Sequence, residues 1–397
     1  MTAPATAIAG VHEFEGRTAG GLSKLQIKAE CAARALADAG LTWADVDAVY
    51  DAGEADPVPG LTIAEYFGVT PRVVDTTATG GSSYEFQAAH AARDIAAGKA
   101  DVALLTYGST RHTDRRVAGP GGTDGRGLFG AHPAWNMERP YGLTLIGNYA
   151  LVARRHMTQY GTTPEQLAEI AVTTRRHAMR NPQAVAGLAA IGFHDVREIT
   201  VDDVLGSRLV ADPLHLLECC IISDGGGAVV IVSRSVAAGI RKQPVWILGA
   251  GEALGYPAAH GDITTSAAEH SGTEAFGQAG VRPGDIDIAM IYDSFTITVL
   301  TILEDLGFAK KGEGGPFAAG GHLAFDQPGG PALNTDGGGL SSNHPGMRGI
   351  FLLIEATRQL RGESTSQVRG ARLAVAHGNG GLLGTRHAAC TIVLGRD

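Results

Sequence analysis

Cysteine is scarce in this 397-residue chain, and its four copies (Cys31, Cys219, Cys220, Cys390) have no Cys-x-x-Cys spacing. That speaks against a zinc site, and because adjacent cysteines such as Cys219 and Cys220 rarely bridge, it points to reduced thiols in a cytoplasmic protein. No cysteine at all lies between Cys31 and Cys219. Basic charge is also in deficit. Thirty-two Lys and Arg stand against 41 Asp and Glu, a formal charge of −9 that argues against nucleic acid or an anionic membrane as partner of the whole surface. No apolar run reaches the length of a membrane span, and residues 1–10 lack the basic segment that opens an export signal. What is present is 44% hydrophobic and 18% charged sequence, which excludes disorder and supplies one large core or two half-sized ones. Fifty-six glycines without a collagen-like period imply many tight strand-helix connections.

The chain repeats itself. Ala39-Gly40-Leu41-Thr42-Trp43-Ala44-Asp45-Val46-Asp47 aligns without a gap with Ala279-Gly280-Val281-Arg282-Pro283-Gly284-Asp285-Ile286-Asp287. Each copy reads as a helix end, a glycine C-cap, a short turn and a buried strand, and each strand runs into Tyr-Asp (Tyr50-Asp51 and Tyr292-Asp293). Helix-turn-strand units recur in any α/β protein, so duplication also draws on the β-rich runs that open and close each half, at 7–11 and 228–232 and at 245–249 and 390–394. Further short runs lie at 102–105 and 373–376. The reading is an α/β fold of two halves, residues 1–238 and 239–397. A polar, arginine-rich insertion at about 109–217 carries its own helix near 164–176, and insertions of this size usually cover a site.

Chemistry concentrates in a few glycine-rich segments. Asn334-Thr335-Asp336-Gly337-Gly338-Gly339-Leu340-Ser341-Ser342-Asn343-His344-Pro345-Gly346 offers His344 at the mouth of a helix over 350–360, and His377-Gly378-Asn379-Gly380-Gly381 offers His377 in a second turn, after a strand at 373–376. A lone histidine is more often a cap or a surface residue, but two in such turns form a pair of candidate proton carriers. In Thr77-Ala78-Thr79-Gly80-Gly81-Ser82-Ser83-Tyr84-Glu85, the spacing of Ser82 and Glu85 predicts a capping box opening a helix that ends at Gly98. The glycine pair before it leaves amide donors for an oxyanion, or else it caps a structural helix. Ser82 and Ser83 lack the surroundings of a nucleophile elbow. Tyr292 and Asp293 end a strand, where they orient a base or, for Tyr292, fill the core. Tyr256 follows the strand at 245–249 as a further base candidate.

In their order these segments resemble the thiolase superfamily, and within it the sterol-carrier-type thiolases and their relatives. Leu217 to Ala228 is similar to that family's Ser-Asp-Gly-Ala-Ala segment, and Tyr292-Asp293-Ser294-Phe295 to its His-Asp-Cys-Phe segment. Asn334 to Gly346 is similar to the segment that bears its catalytic histidine, and His377-Gly378-Asn379-Gly380 falls where many thiolases have a second cysteine. The likeness runs from about Ile8 to Gly395. It implies two βαβαβαββ halves related by a pseudo-twofold axis, in five αβαβα layers with an inserted loop domain. One departure matters most: Gly81 stands where thiolases carry the nucleophilic cysteine, so the covalent acyl-enzyme step is lost.

What remains suits another task. The resemblance implies a thiolase-fold acyl-CoA lyase performing retro-aldol cleavage of a β-hydroxyacyl-CoA through a thioester enolate, as in thiolase-like aldolases of steroid side-chain degradation. His344 would meet the thioester oxygen, His377 or Tyr292 would move protons, Asp293 would orient, and amides near Gly81, Ser82, Asn379 and Gly380 would contact the oxyanion. Arg111, Arg115, Arg116 and Arg126 lie in the insertion that holds CoA in thiolases, where they meet its phosphates or form a solvated face. No metal and no covalently bound cofactor is expected; the coenzyme A thioester is substrate. Expected partners are a second copy of the chain, joined at the β-rich edge 73–77, and a protein with a zinc ribbon and an OB fold. The rivals are an acyltransferase using Ser82 or Ser83 and a non-catalytic acyl-CoA or lipid carrier.

Overall fold

A computed structural model of the chain describes residues 4–53, 56, 58–114, 141–193, 195–257 and 261–396. The first half runs β1 (Thr6–Glu13), α1 (Lys24–Ala39), β2 (Ala48–Tyr50), α2 (Pro59–Phe67), β3 (Val73–Asp75), α3 (Ser83–Ala96) and β4 (Val102–Ser109). The insertion then contributes α4 (Leu145–Tyr160), α5 (Pro164–Ala178), α6 (Pro182–Ile191), α7 (Val201–Gly206) and a small hairpin of β5 (Leu209–Ala211) and β6 (Leu214–His215), before β7 (Gly225–Ser233) closes the half. A short α8 (Arg234–Ala237) leads to β8 (Val245–Gly255), α9 (Ala268–Ala279), β9 (Ile288–Ile291), α10 (Thr296–Asp305), α11 (Gly314–Ala319), β10 (Ala332–Leu333), α12 (Gly338–Ser341), α13 (Gly349–Arg361), β11 (Leu373–Leu382) and β12 (Arg386–Gly395). With the insertion and the short α8, α11 and α12 set aside, each half is βαβαβαββ.

The two halves pair their strands in mirrored order, β3-β2-β4-β7-β1 against β8-β12-β11-β9-β10, and they join through β1 and β8. Only Ala7 and Ile8 face Trp246 and Val245 across that seam. Strands β2, β3 and β4 run parallel, as do β9, β10 and β11, while the closing strands of each half are antiparallel. Helices α3 and α13 are buried among strands of both halves, in one core with Tyr84, Leu105, Met290, Phe351 and Ile392. Helix α1 covers the outer face of the first half, and α9 and α10 cover that of the second. The result is the αβαβα layering expected.

The repeated segment folds alike in both copies. Helices α1 and α9 end on Gly40 and Gly280 at φ 70° and 68°, a left-handed conformation that glycine takes without a steric penalty. The Asp45 carboxylate accepts from the Thr42 amide at 2.8 Å, and Asp285 accepts from Arg282 at 2.8 Å. Asp47 accepts from the amides of Asp101 and Val102 where β4 begins; Asp287 accepts from Arg372 and Leu373 where β11 begins. Each aspartate thereby holds a neighbouring parallel strand in register.

The strands at 245–249 and 373–376 continue further than their β-rich cores, to Gly255 and Leu382, because glycine and histidine positions are held by cross-strand pairing. The segment 73–77 does provide the edge strand β3, with Val74 half exposed. Removing the strand cap in Asp287→Ala leaves two amides short of an acceptor and is expected to cost about 1–3 kcal/mol. A urea midpoint equal to that of the parent protein would show that the cap contributes nothing.

Candidate active site

The loop at 334–346 is built from close approaches. Asn334, a non-glycine residue at φ 43°, trades hydrogen bonds of 2.8 Å with both backbone groups of Ile291 and so ties the loop to the end of β9. Gly338 has φ 69°, and a β-carbon there would overlap the Asp293 carboxylate. Asp293 in turn accepts from the amides of Gly339 at 2.7 Å and Leu340 at 3.2 Å. The buried Arg348 pairs with Asp293 at 3.2 Å and bidentately with Asp336 at 2.6 and 2.7 Å.

At the end of the loop the His344 amide donates to Ser223 Oγ at 3.0 Å, in the Ser-Asp-Gly segment before β7. Tyr107 Oη donates to the Pro345 carbonyl at 2.8 Å and accepts from the Met347 amide at 2.9 Å. The histidine backbone is therefore gripped on both sides. Its Nε2 lies 2.9 Å from Tyr292 Oη, and the two rings meet edge to face at 84°. Burial first, then the positive charges of Arg111 and Arg348, hold His344 down to about 3, so the imidazole is neutral at any ordinary pH. Burial pushes the Tyr292 phenol well above its usual value, so it too is neutral.

Tyr292 occupies a decisive place. A β-carbon at Gly81 would overlap both its ring and the Asn379 carbonyl oxygen. No side chain fits at 81 while Tyr292 stands there. The residue that replaces the family's histidine in Tyr292-Asp293-Ser294-Phe295 thus fills the room that a nucleophile's side chain would need. Ser82 does not substitute for it. Its hydroxyl is buried against Thr79, within 3.2 Å of both Thr79 O and Thr79 Oγ1, and Ser83 Oγ donates to Gly80 O at 2.6 Å.

The capping box expected of Ser82 and Glu85 is not formed. A single turn over Gly80–Ser82 precedes α3, so Ser82 is already helical (φ −87°, ψ 0°) rather than extended, and its side chain caps nothing. Glu85 is instead wholly buried, with both carboxylate oxygens unpartnered among the described residues, and burial raises its pKa well above the usual range.

These parts surround a cavity of about 340 Å³. Gly80, Gly81, Tyr292, His344, Gly346 and Asn379 line one side; Leu145, Tyr149, Ile222, Phe295 and Leu382 give it apolar walls, with Cys220, Ser294, Arg111 and Arg386 completing it. Several of these carried no signal of their own. Tyr149 sits on α4 in the insertion, where its spacing reads as core, yet its ring packs against Phe295 at 4.5 Å and its hydroxyl accepts from Asn379 Nδ2 at 3.3 Å. Cys220 lies within the segment Leu217 to Ala228, and burial pushes its thiol up to about 12, which leaves no thiolate to attack with.

Other expected residues stand apart. His377 is not in a turn after its strand but inside β11, opposite Thr391, because the glycines that follow it stay paired with β12. Its Nδ1 is 2.8 Å from Thr391 Oγ1, it is wholly buried, and it is not among the cavity-lining residues. Gly380 is likewise behind the wall, packed so closely on Thr79 O that no side chain fits. Tyr256 follows β8 as expected but is 55% exposed and does not line the cavity. Arg111 lines the cavity itself. Arg115, Arg116 and Arg126 lie outside the described residues. Among the described residues no cluster of three or more His, Cys, Asp or Glu could hold a metal ion, and no helix is long and apolar enough to cross a membrane.

Residues 250–396 match the family model described as thiolase C-terminal domain-like. The chain is 35% identical to an acetyl-CoA acetyltransferase of Methanothermobacter thermautotrophicus, over 88% of this chain and 90% of the relative. It is also 35% identical to a steroid side-chain-cleaving aldolase of Thermomonospora curvata, over 91% of this chain and 92% of the relative. The solved structure of the Ltp2-ChsH2(DUF35) aldolase superposes with a TM-score of 0.85 at 32% identity, covering 99% of this chain and 98% of that one.

Two outcomes test this geometry. Gly81→Cys is expected to overpack the site by about 1–3 kcal/mol, and Tyr292→Ala to relieve part of that cost in the double variant. Additive unfolding energies would mean that the two residues do not share the space. Burial sets Asp293 at about 6 against the pull of Arg348 and the loop amides. Turnover should therefore fall below about pH 6, as its protonation weakens the ion pair, while Asp293→Asn is slow at every pH and lacks that limb. His344 titrates too low to produce it.

Proposed function

The chain belongs to the thiolase superfamily, within its sterol-carrier-type branch, and we propose that it is an acyl-CoA lyase that cleaves a β-hydroxyacyl-CoA by retro-aldol chemistry. The observation that carries this is the Tyr292 ring lying where a side chain at position 81 would be, in hydrogen-bond contact with His344. Similarity alone does not decide, since an acyltransferase and an aldolase are equally identical to the chain. The site favours the aldolase: acyl exchange needs a nucleophile, Gly81 has none, and Ser82 and Ser83 spend their hydroxyls on Thr79 and Gly80.

In the proposed reaction the β-hydroxyl gives its proton to Tyr292 Oη as Tyr292 passes its own to His344 Nε2. The Cα–Cβ bond breaks, its electron pair moves onto the thioester as an enolate, and the β-carbon leaves as a ketone or aldehyde. The same relay then returns the proton to Cα, so that a shorter acyl-CoA departs with no net change in the enzyme. The depressed basicity of His344 is no obstacle, because the negative charge that forms beside it favours the imidazolium. Gly81 and Asn379 stand on the wall that the thioester would face. His377, one layer behind, steadies β11 through Thr391 rather than touching substrate.

The apolar walls from Leu145, Ile222, Phe295 and Leu382 suit a lipid or steroid side chain, and CoA thioester is the substrate class supported by the family. A homodimer through β3 and a partner protein of the zinc-ribbon and OB-fold type belong to the same reading, the second supported by the two-protein name of the solved aldolase structure. We place the enzyme in the cytoplasm.

Incubation with a panel of β-hydroxyacyl-CoA esters, with and without the partner, should release a carbonyl compound and a shorter acyl-CoA. His344→Ala and Tyr292→Phe should lower kcat about 10²–10⁴-fold while CoA affinity holds. Detection by mass spectrometry of an acyl group bonded to the protein would sink the lyase reading in favour of acyl transfer. Absence of turnover with CoA binding retained would leave a carrier.

A further inference from the structure

Arg111 follows β4 in the turn that opens the insertion, and it lines the cavity together with Tyr292 and His344. A β-carbon at Gly346 would lie 2.8 Å from Nη1, so the guanidinium rests against the same residue whose carbonyl accepts from Tyr292 Oη at 3.3 Å. Its other terminal nitrogen, Nη2, is buried and has no hydrogen-bond partner among the described residues. Among the described residues, no aspartate or glutamate lines the cavity.

A buried donor left without an acceptor is costly. The other arginines near the loop are differently placed: Arg17 and Arg358 pair with Glu13, Arg348 with Asp293 and Asp336, and Arg175, which also has a bare Nη2, donates to Ser341 Oγ. Arg111 alone of these faces the cavity. It also works against His344, whose imidazolium it disfavours. A cation that opposes the base in the resting enzyme is useful only if an anion forms beside it during the reaction.

We propose that Arg111 is a catalytic residue: its guanidinium donates to the thioester oxygen and stabilises the enolate that forms when the Cα–Cβ bond breaks. This rests on the reading above for the thioester substrate, but any enolate chemistry at this site, cleavage or condensation, calls on it equally. The electron pair of the broken bond comes to rest on the oxygen facing Arg111, and the proton that Tyr292 passed on waits on His344. Negative oxygen, guanidinium and imidazolium then form one compact charge cluster. Protonation at Cα discharges it and restores the resting site.

The test uses a saturated acyl-CoA, propanoyl-CoA, which has an α-proton but no β-hydroxyl to cleave. Its exchange of α-protons for deuterium in heavy water, followed by proton NMR with the purified protein, reports enolate formation alone. The wild-type protein should catalyse exchange, Arg111→Gln should lose about 100-fold or more in its maximal rate with little change in KM, and Arg111→Lys should regain part of it. Circular dichroism and thermal unfolding establish that each variant is folded, and Arg111→Lys carries the test if the glutamine variant is not. An unchanged maximal exchange rate, or a rise in KM with the rate kept, would overturn the proposal and leave Arg111 as a binding group. Absence of exchange in the wild-type protein would instead remove the enolate, and with it the lyase reading itself. Exchange that is normal in Arg111→Gln while cleavage of the β-hydroxyacyl-CoA still proceeds in the wild type would fault Arg111 only.

Discussion

The buried guanidinium of Arg348 is the interaction on which the site depends. It grips Asp336 with two bonds, lies 3.2 Å from Asp293, and donates to the carbonyl and side chain of Asn343. Asn343 passes the connection to Glu13 of β1, which also receives Arg17 and Arg358. Three arginines thus balance Glu13, Asp293 and Asp336, with Arg17 further donating to the Ser342 carbonyl at 2.8 Å. The loop that carries His344 is bound by charge to a strand of the first half and to two segments of the second. Desolvating so many charges is expensive, and such a network is better understood as fixing one conformation than as adding stability. Breaking it by removing one partner would still cost several kcal/mol, because the other charge would be left buried.

Rigidity there sets the electrostatics at the cavity. With its backbone held by Ser223 and, through Pro345, by Tyr107, His344 cannot turn away from Tyr292, and burial keeps both groups uncharged. The site lies where the two halves of the repeat present equivalent parts. Helices α3 and α13 occupy corresponding positions, and their N-terminal ends meet so closely that a side chain at Gly349 would crowd the Gly81 carbonyl and Glu85. Two helix starts facing one region favour negative charge there. Beside Gly81 the protein offers a nucleophile no space.

Much of this was legible in the sequence. Helix-turn-strand punctuation around Gly40 and Gly280 marks the duplication because a left-handed glycine, a carboxylate acceptor and a buried strand are local requirements. The segment around His344 could be recognised for the same reason, since its glycines answer to close packing against Asp293. Local patterns misled where the backbone did something else. Ser82 and Glu85 have capping-box spacing, but the turn before them makes Ser82 helical. His377 has the look of a loop residue, but cross-strand pairing continues through the glycines after it.

The sequence by itself determined the two-halved α/β fold through its repeat and periodicity, and, through the resemblance of its ordered segments to a known family, the family and the absence of a cysteine where that family's reaction needs one. Only the tertiary structure decided what replaces that cysteine. Residues 81, 111, 292, 344 and 379 are far apart along the chain, and nothing local to any of them says that the ring of Tyr292 fills the space beside Gly81. Nor does anything local show that Arg111 lines the cavity, whereas His377 and Tyr256 do not reach it. Those facts arise from the packing of two half-sheets on a shared pair of helices, and distances across that packing are not written in neighbouring residues.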